Sequence, residues 1–166
     1  FPRRAHINVD GKHYITNELI PAFGYAVITP DEHKNTLKAS SHYLENERYE
    51  IKFDELGRFS SIYDKKAERE VISGPANEIR FFEDRPAVYD AWELDLNYAT
   101  KCYIPDEIPT EEIIVDGDRV GIKYSRKYFA TAIEQTVWVY SGSDRIDIET
   151  EGDWQERHQI MKLAFP

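Results

Sequence analysis

The sequence has little of what marks a secreted, membrane-bound or nucleotide-handling protein. Its single cysteine, Cys102, excludes an internal disulfide. This points to a reducing compartment, so a cytoplasmic location is expected. No run of 18 apolar residues is present, so no membrane-spanning helix is expected, and no basic start followed by an apolar stretch marks a signal peptide. The eight glycines are dispersed, and none forms GxGxxG, a P-loop or a GxSxG elbow. Excess positive charge is missing too. A net charge of −10 argues against phosphate backbones or anionic lipid as partners. No basic stripe carries interleaved aromatics, so neither a nucleic-acid nor a membrane partner is expected.

Metal-binding patterns are also absent. The five histidines, His6, His13, His33, His42 and His158, are scattered without HxxxH, HxH or HxD spacing. Zinc needs several converging ligands; His158 has acids nearby in sequence, Asp153 and Glu156, but no second histidine beside it. Solvent-facing or capping roles are expected for all five, with no metal site in the chain.

What the sequence does have is alternation. In "YEIKF" the apolar Tyr49, Ile51 and Phe53 fall on one face of a strand, with Glu50 and Lys52 on the other. "RVGIKYSRKYF", "IEQTVWVY" and "RIDIETE" show the same period. Between such runs, "DELGR", "DGDR" and "SGSDR" place Gly or Asp where hairpins need unusual backbone angles. Short strands, frequent turns and few helical stretches predict an all-β fold, mainly an antiparallel β-sandwich.

At 166 residues the chain suits one domain or a domain with an attached piece. Charge divides it near Tyr43. Residues 1–43 hold 5 Lys and Arg against 4 Asp and Glu, and the remainder holds 16 against 27. The expected organisation is a small β segment and linker over 1–43, then the sandwich over 44–166. In the first part "AHINVDGKHYIT" predicts a hairpin turning at Asp10-Gly11, and "AFGYAVI" another strand. "TPDEHKNTLKASS" (29–41) lacks a period and predicts a linker. "YIPDEIPTEE" (103–112) predicts an irregular connection, because its two prolines bar a central strand.

The stretch "FFEDRPAVYDAW" (81–92) sets four aromatic residues beside three acids. Aromatic rings beside carboxylates hold sugars, and paired carboxylates about 5–10 Å apart cut them. Asp84, Asp90 and Asp153 are the acids beside aromatics. Among 31 Asp and Glu residues, however, many such neighbours arise by chance, and a structural role is the simpler reading of each.

Three tracts resemble a known family. "LENERYEIKFDELGRFSSIYDKKAEREVI" (44–72), "GPANEIRFFEDRPAVYDAWELD" (74–95) and "EGDWQERHQIMKLAFP" (151–166) resemble the carboxy-terminal β domain of the glycoside hydrolase family 38 α-mannosidases. "IPAFGYAVI" (20–28) resembles the short β segment that precedes that domain. The resemblance implies a large sandwich of the galactose-mutarotase-like kind, incomplete here. A parent would carry an upstream catalytic domain with an aspartate nucleophile, an acid/base carboxyl and a zinc ion held by His and Asp. It would hydrolyse α-mannosidic bonds with retention. None of those catalytic or zinc-binding residues maps onto this chain.

The chain beginning at Phe1 and ending at "AFP" is accordingly read as part of a longer protein. It is expected to be a non-catalytic support whose partners are the parent's catalytic domain and a mannose-containing oligosaccharide. An open sheet edge makes self-association into a homo-oligomer a further expectation. Tyr89 and Trp92 are the candidates to stack on sugar, with Asp90 accepting hydroxyl hydrogen bonds. The competing reading makes Tyr89 and Trp92 core anchors and Asp90 a turn cap. Two other functions fit the same composition: a stand-alone carbohydrate-binding module, and an acidic interaction domain. Exposed rings of Trp92, Trp138 and Trp154 aligned on one face would favour the first of these.

Overall fold

The computed structural model describes residues 5–16, 19–27, 36–89 and 92–166. Within them the chain is all-β, and every strand pairing is antiparallel. A hairpin, β1 (His6–Val9) and β2 (Lys12–Ile15), comes first. A five-stranded sheet follows, from β3 (Lys38–Ser40), β4 (Tyr43–Glu45), β5 (Tyr49–Phe53), β6 (Phe59–Asp64) and β7 (Arg69–Glu70), in that order. β8 (Glu78–Glu83) lies between β9 (Cys102–Tyr103) and the last strand, β14 (Gln159–Ala164). β10 (Thr110–Asp116), β11 (Arg119–Tyr128), β12 (Thr131–Tyr140) and β13 (Ile146–Asp153) form a four-stranded sheet. The only helical element among the described residues is a 3-10 turn at Tyr98–Thr100. No helix among them is long and apolar enough to cross a membrane.

The main core lies between the five- and four-stranded sheets. Leu44, Ile51, Phe53, Phe59 and Ile62 meet Val120, Ile122, Tyr124, Val137 and Val139. Alternation explains the assignment: Ile51 and Phe53 are buried and the intervening Lys52 is exposed. Each such side chain stabilises the fold by about 1.5–3 kcal/mol on burial. Two buried amide groups find partners there. Asn77 Nδ2 donates to Gln135 Oε1 at 2.6 Å, and Asn46 Nδ2 donates to the Tyr140 carbonyl at 3.0 Å. Around β8 a second core gathers Ile79, Phe81, Tyr128 and Ile133.

The outer face of the four-stranded sheet is covered by the first hairpin. Ile15 packs with Trp138 and Tyr140, and Ile114 closes the cluster. Gly121, opposite Trp138 in the β11–β12 register, makes room for the indole. A Cβ there would lie 2.6 Å from Trp138 Cε3. At the β10–β11 turn, Gly117 has φ 61°, and a Cβ would meet the His13 carbonyl oxygen at 2.1 Å. Only glycine lets these two hairpins approach so closely.

The hairpin at Asp10-Gly11 and the β5–β6, β10–β11 and β12–β13 turns match the sequence reading. Ile104–Pro109, between β9 and β10, is the irregular connection its prolines predict. β3 falls in the tract read as linker, and its pairing with β4 edges the five-stranded sheet. "AFGYAVI" departs from expectation. Its described residues, 22–27, form no strand. Phe23 takes φ 58° and the Gly24 amide donates to the Pro21 carbonyl, so the tract opens on a turn. Phe23, Tyr25 and Val27 are all exposed, so their alternation has no sheet face to cover.

Candidate functional site

The aromatic and acidic stretch begins at the end of β8, and its described residues beyond Glu83 lie in the long connection to β9. Its base is tied at several points. The Asp84 amide donates to the His158 carbonyl at 2.8 Å, and Asp84 Oδ1 accepts from the Asp95 amide at 2.7 Å. Glu83 N donates to the Lys101 carbonyl at 3.1 Å. Asp95 in turn accepts from the Asn97 amide at 2.8 Å and from Lys101 Nζ at 3.3 Å. Those two partners, the backbone amide foremost, hold the Asp95 carboxyl below its ordinary value.

The returning half of the loop is pinned through Tyr98. Lys162 Nζ lies 4.1 Å from its ring centroid and bonds its hydroxyl at 2.6 Å. The Tyr98 ring also meets Phe82 edge-on at 5.5 Å. Alternation along β8 sends Phe82 to this loop and Phe81 to the opposite side, against Tyr128.

The tip is different in kind. The amides of Trp92 and Glu93 both donate to the Tyr89 carbonyl, at 2.8 and 3.0 Å, closing a turn. Tyr89 takes φ 58°, a left-handed conformation uncommon for a bulky residue. Tyr89 is 70% exposed and Trp92 88% exposed. Neither ring is a core anchor. Leu94 and Leu96 extend the exposed apolar surface, and with Arg85, Pro86, Glu93 and Asp95 they line a cleft of about 590 Å³. Asp90 lies outside the described residues.

Of the three acids singled out from sequence, Asp84 is buried and committed to closing the loop base. Asp153 ends β13, exposed, with Oδ1 accepting from Gln155 Nε2 at 2.6 Å. The three tryptophans do not share a face. Trp92 is exposed, Trp138 is 4% exposed beneath the first hairpin, and Trp154 is partly exposed against Phe81. Trp154 lies at the corner between β13 and β14.

Among the described residues no group of three or more His, Cys, Asp or Glu could hold a metal ion. Two histidines instead find acids that sequence distance concealed. His13 Nδ1 lies 2.7 Å from Asp116 Oδ2, and His42 Nδ1 lies 3.0 Å from Glu111 Oε2. Sequence reasoning also missed Lys162 and Asp84 as the fixings of the loop. Both act through contacts that local pattern does not encode.

Comparison with known proteins bears on the same tracts. The family described as Glycosyl hydrolases family 38 C-terminal domain matches residues 44–166. Alpha-mannosidase G of Dictyostelium discoideum is 27% identical over 131 residues, covering 72% of this chain. The chain spans 12% of that relative's length.

Proposed function

The chain belongs to the family of glycosyl hydrolase family 38 C-terminal domains, and from that premise we propose that it is a non-catalytic supporting sandwich of an α-mannosidase. The parent would hydrolyse α-mannosidic bonds with retention, using carboxyl groups and zinc supplied outside this chain. Here the sandwich braces the catalytic domain and the Tyr89–Trp92 tip forms part of the sugar-cleft rim. The carrying observation is the contrast within one loop: a base tied by Asp84 and Lys162, and a tip that presents two open rings. A fixed base limits the freedom lost when a sugar stacks on those rings. In the same role, Asp90 would accept hydroxyl hydrogen bonds.

The test is hydrolysis of an aryl α-mannoside and of a mannose oligosaccharide by the full-length protein that carries this segment. Replacing Tyr89 and Trp92 together by Ala should raise KM for the oligosaccharide roughly 10-fold with kcat little changed, as expected for lost uniform binding. Unaltered KM would remove the rim role. Turnover by the segment alone would overturn the non-catalytic reading.

The same open rings support a second reading, a carbohydrate-binding module that acts without a catalytic partner. It predicts sugar binding by the isolated chain, and a full-length protein in which the double variant leaves KM unaltered.

A further inference from the structure

The core between the two large sheets is left open along one edge. β10 ends the four-stranded sheet, and its ladder with β11 sets Ile113 opposite Ile122 and Val115 opposite Val120. Directly opposed residues share a face of the sheet. Ile113 and Val115 therefore point to the same side as two members of the main core. Val120 and Ile122 are 3% and 0% exposed, whereas Ile113 is 43% and Val115 71% exposed. Two apolar side chains thus stand on the core side of the sheet and remain open to water.

The free side of β10 is also unguarded. Half of its amides and carbonyls point away from β11, because bonding alternates along an antiparallel ladder. Edge strands are usually blunted by shortness, charge or proline. Among the other edges of the three larger sheets, β3, β7 and β9 have only three, two and two residues. β13 carries Asp147, Glu149, Glu151 and Asp153, and β14 carries Lys162. β10 is seven residues long and contains no Lys, Arg or Pro. Its acids stand toward its ends and are engaged within the chain. Glu111 Oε2 accepts from the His42 amide at 3.2 Å, and Glu112 Oε2 lies 3.1 Å from Lys123 Nζ. Asp116 Oδ2 accepts from Arg119 Nε at 2.9 Å. The centre of the strand is left as the uncharged triplet Ile113-Ile114-Val115.

We propose that β10 pairs antiparallel with β10 of a second copy of this chain, about a two-fold axis at Ile114. The pattern of the strand selects both occupant and register. In this arrangement Ile113 faces Val115 of the second copy, Ile114 faces its own counterpart, and Val115 faces Ile113. Each apolar residue of the triplet thus meets an apolar residue on the same face of the joined sheet. Glu112 faces Asp116 of the second copy, and both carboxylates already have a cationic partner in their own chain. The two four-stranded sheets join edge to edge, and the open Ile113 and Val115 side chains of both copies cover one another across the seam. A contact of one strand pair belongs at the small end of protein interfaces, so a Kd of roughly 1–100 µM is expected. Each copy carries a net charge of −10, so salt should tighten the pairing by screening repulsion. The contact does not depend on the role of the Tyr89–Trp92 tip.

Sedimentation velocity of the full-length protein that carries this segment, from about 1 to 200 µM, tests the pairing together with hydrogen exchange along β10. A dimer should fill with concentration, and exchange at Ile113 and Val115 should slow as it does. Val115→Lys should raise the Kd at least about 10-fold, because an inward-pointing charge blocks edge pairing. Val71→Lys makes the same change at another exposed position and should leave the Kd unaltered. Raising NaCl from about 0.05 to 0.5 M should lower the Kd. A monomer over the whole range would overturn the proposal. So would a dimer that Val115→Lys leaves intact, which would place the contact elsewhere. The exchange measurement needs no variant: a dimer that forms without slowing Ile113 and Val115 would equally exclude β10.

Discussion

Trp92 and Trp138 each stand among aromatics and acids, yet the fold treats them in opposite ways. Trp138 is sealed. Its Nε1 donates to Glu149 Oε2 at 2.9 Å, and the Arg119 guanidinium stacks 3.9 Å from its ring centroid. Arg119 is itself paired with Asp116 and Glu149. Neighbouring Tyr140 donates its hydroxyl to Asp147 at 2.5 Å and meets the His6 ring edge-on at 4.7 Å. The acids around Trp138 thus bond the side chains of Arg119, Tyr140 and the indole itself. At the Trp92 tip the rings are open, and the acids of the loop base hold the backbone. The presence of aromatics and acids together therefore does not mark a site; what the acids are bonded to separates scaffold from contact surface.

The sharpest way to break that comparison is to truncate both indoles. Trp138→Ala should cost about 3–5 kcal/mol in urea unfolding, as large buried aromatics do. Trp92→Ala should stay within about 0.5 kcal/mol, as surface changes do. Similar losses from the two would erase the distinction. A smaller effect is expected from Gly121→Ala, whose new methyl group must displace the Trp138 ring or the backbone. An overpacking loss of about 1–3 kcal/mol should appear in the same unfolding curves.

Acid gives the gentlest probe. Burial lowers the His6 pKa, with Arg145 adding to it, so His6 prefers to be neutral when folded. Its contribution is present above its unfolded pKa, about 6.5, and declines as pH falls below that value. Burial pushes the Asp116 carboxyl up, but hydrogen bonds from His13 and Arg119 outweigh it and hold the group below its ordinary value. That contribution is present above its unfolded pKa, about 3.9, and is lost as pH falls through the lower folded value. Amide protection along β1 and β2 should therefore weaken from near neutrality and fall further below about pH 4. Amides of the Trp92 turn should show no matching change. Uniform acid sensitivity of both regions would mean that the hairpin is not held by these groups.

Local features were legible in the sequence. Alternation in "YEIKF" and the Gly-containing turns placed β5 and several hairpins, because period and turn chemistry act over a few residues. The aromatic–acidic stretch and the three motif tracts were also visible, and the family match covers residues 44–166. Facial burial was not legible. Trp138 and Trp92 differ in what covers them, and the cover of Trp138 comes from a hairpin more than a hundred residues away in the chain. "AFGYAVI" shows the reverse failure, an alternating tract that no sheet completes among the described residues. A structural role is the simpler sequence reading of Asp84, but the hydrogen bonds through which it closes the loop base are visible only in three dimensions.

The His13–Asp116 contact joins residues 103 positions apart, and this has a consequence for synthesis. A ribosome emits the hairpin long before the sheet it covers. At about 5–20 residues per second the interval is roughly 5–20 s. A lone two-stranded hairpin is marginal in water, so for that time it has no lasting shape of its own. The hairpin is thus made before the sheet it covers yet settles after it, and its arrival reports that the β10–β11 turn has already formed.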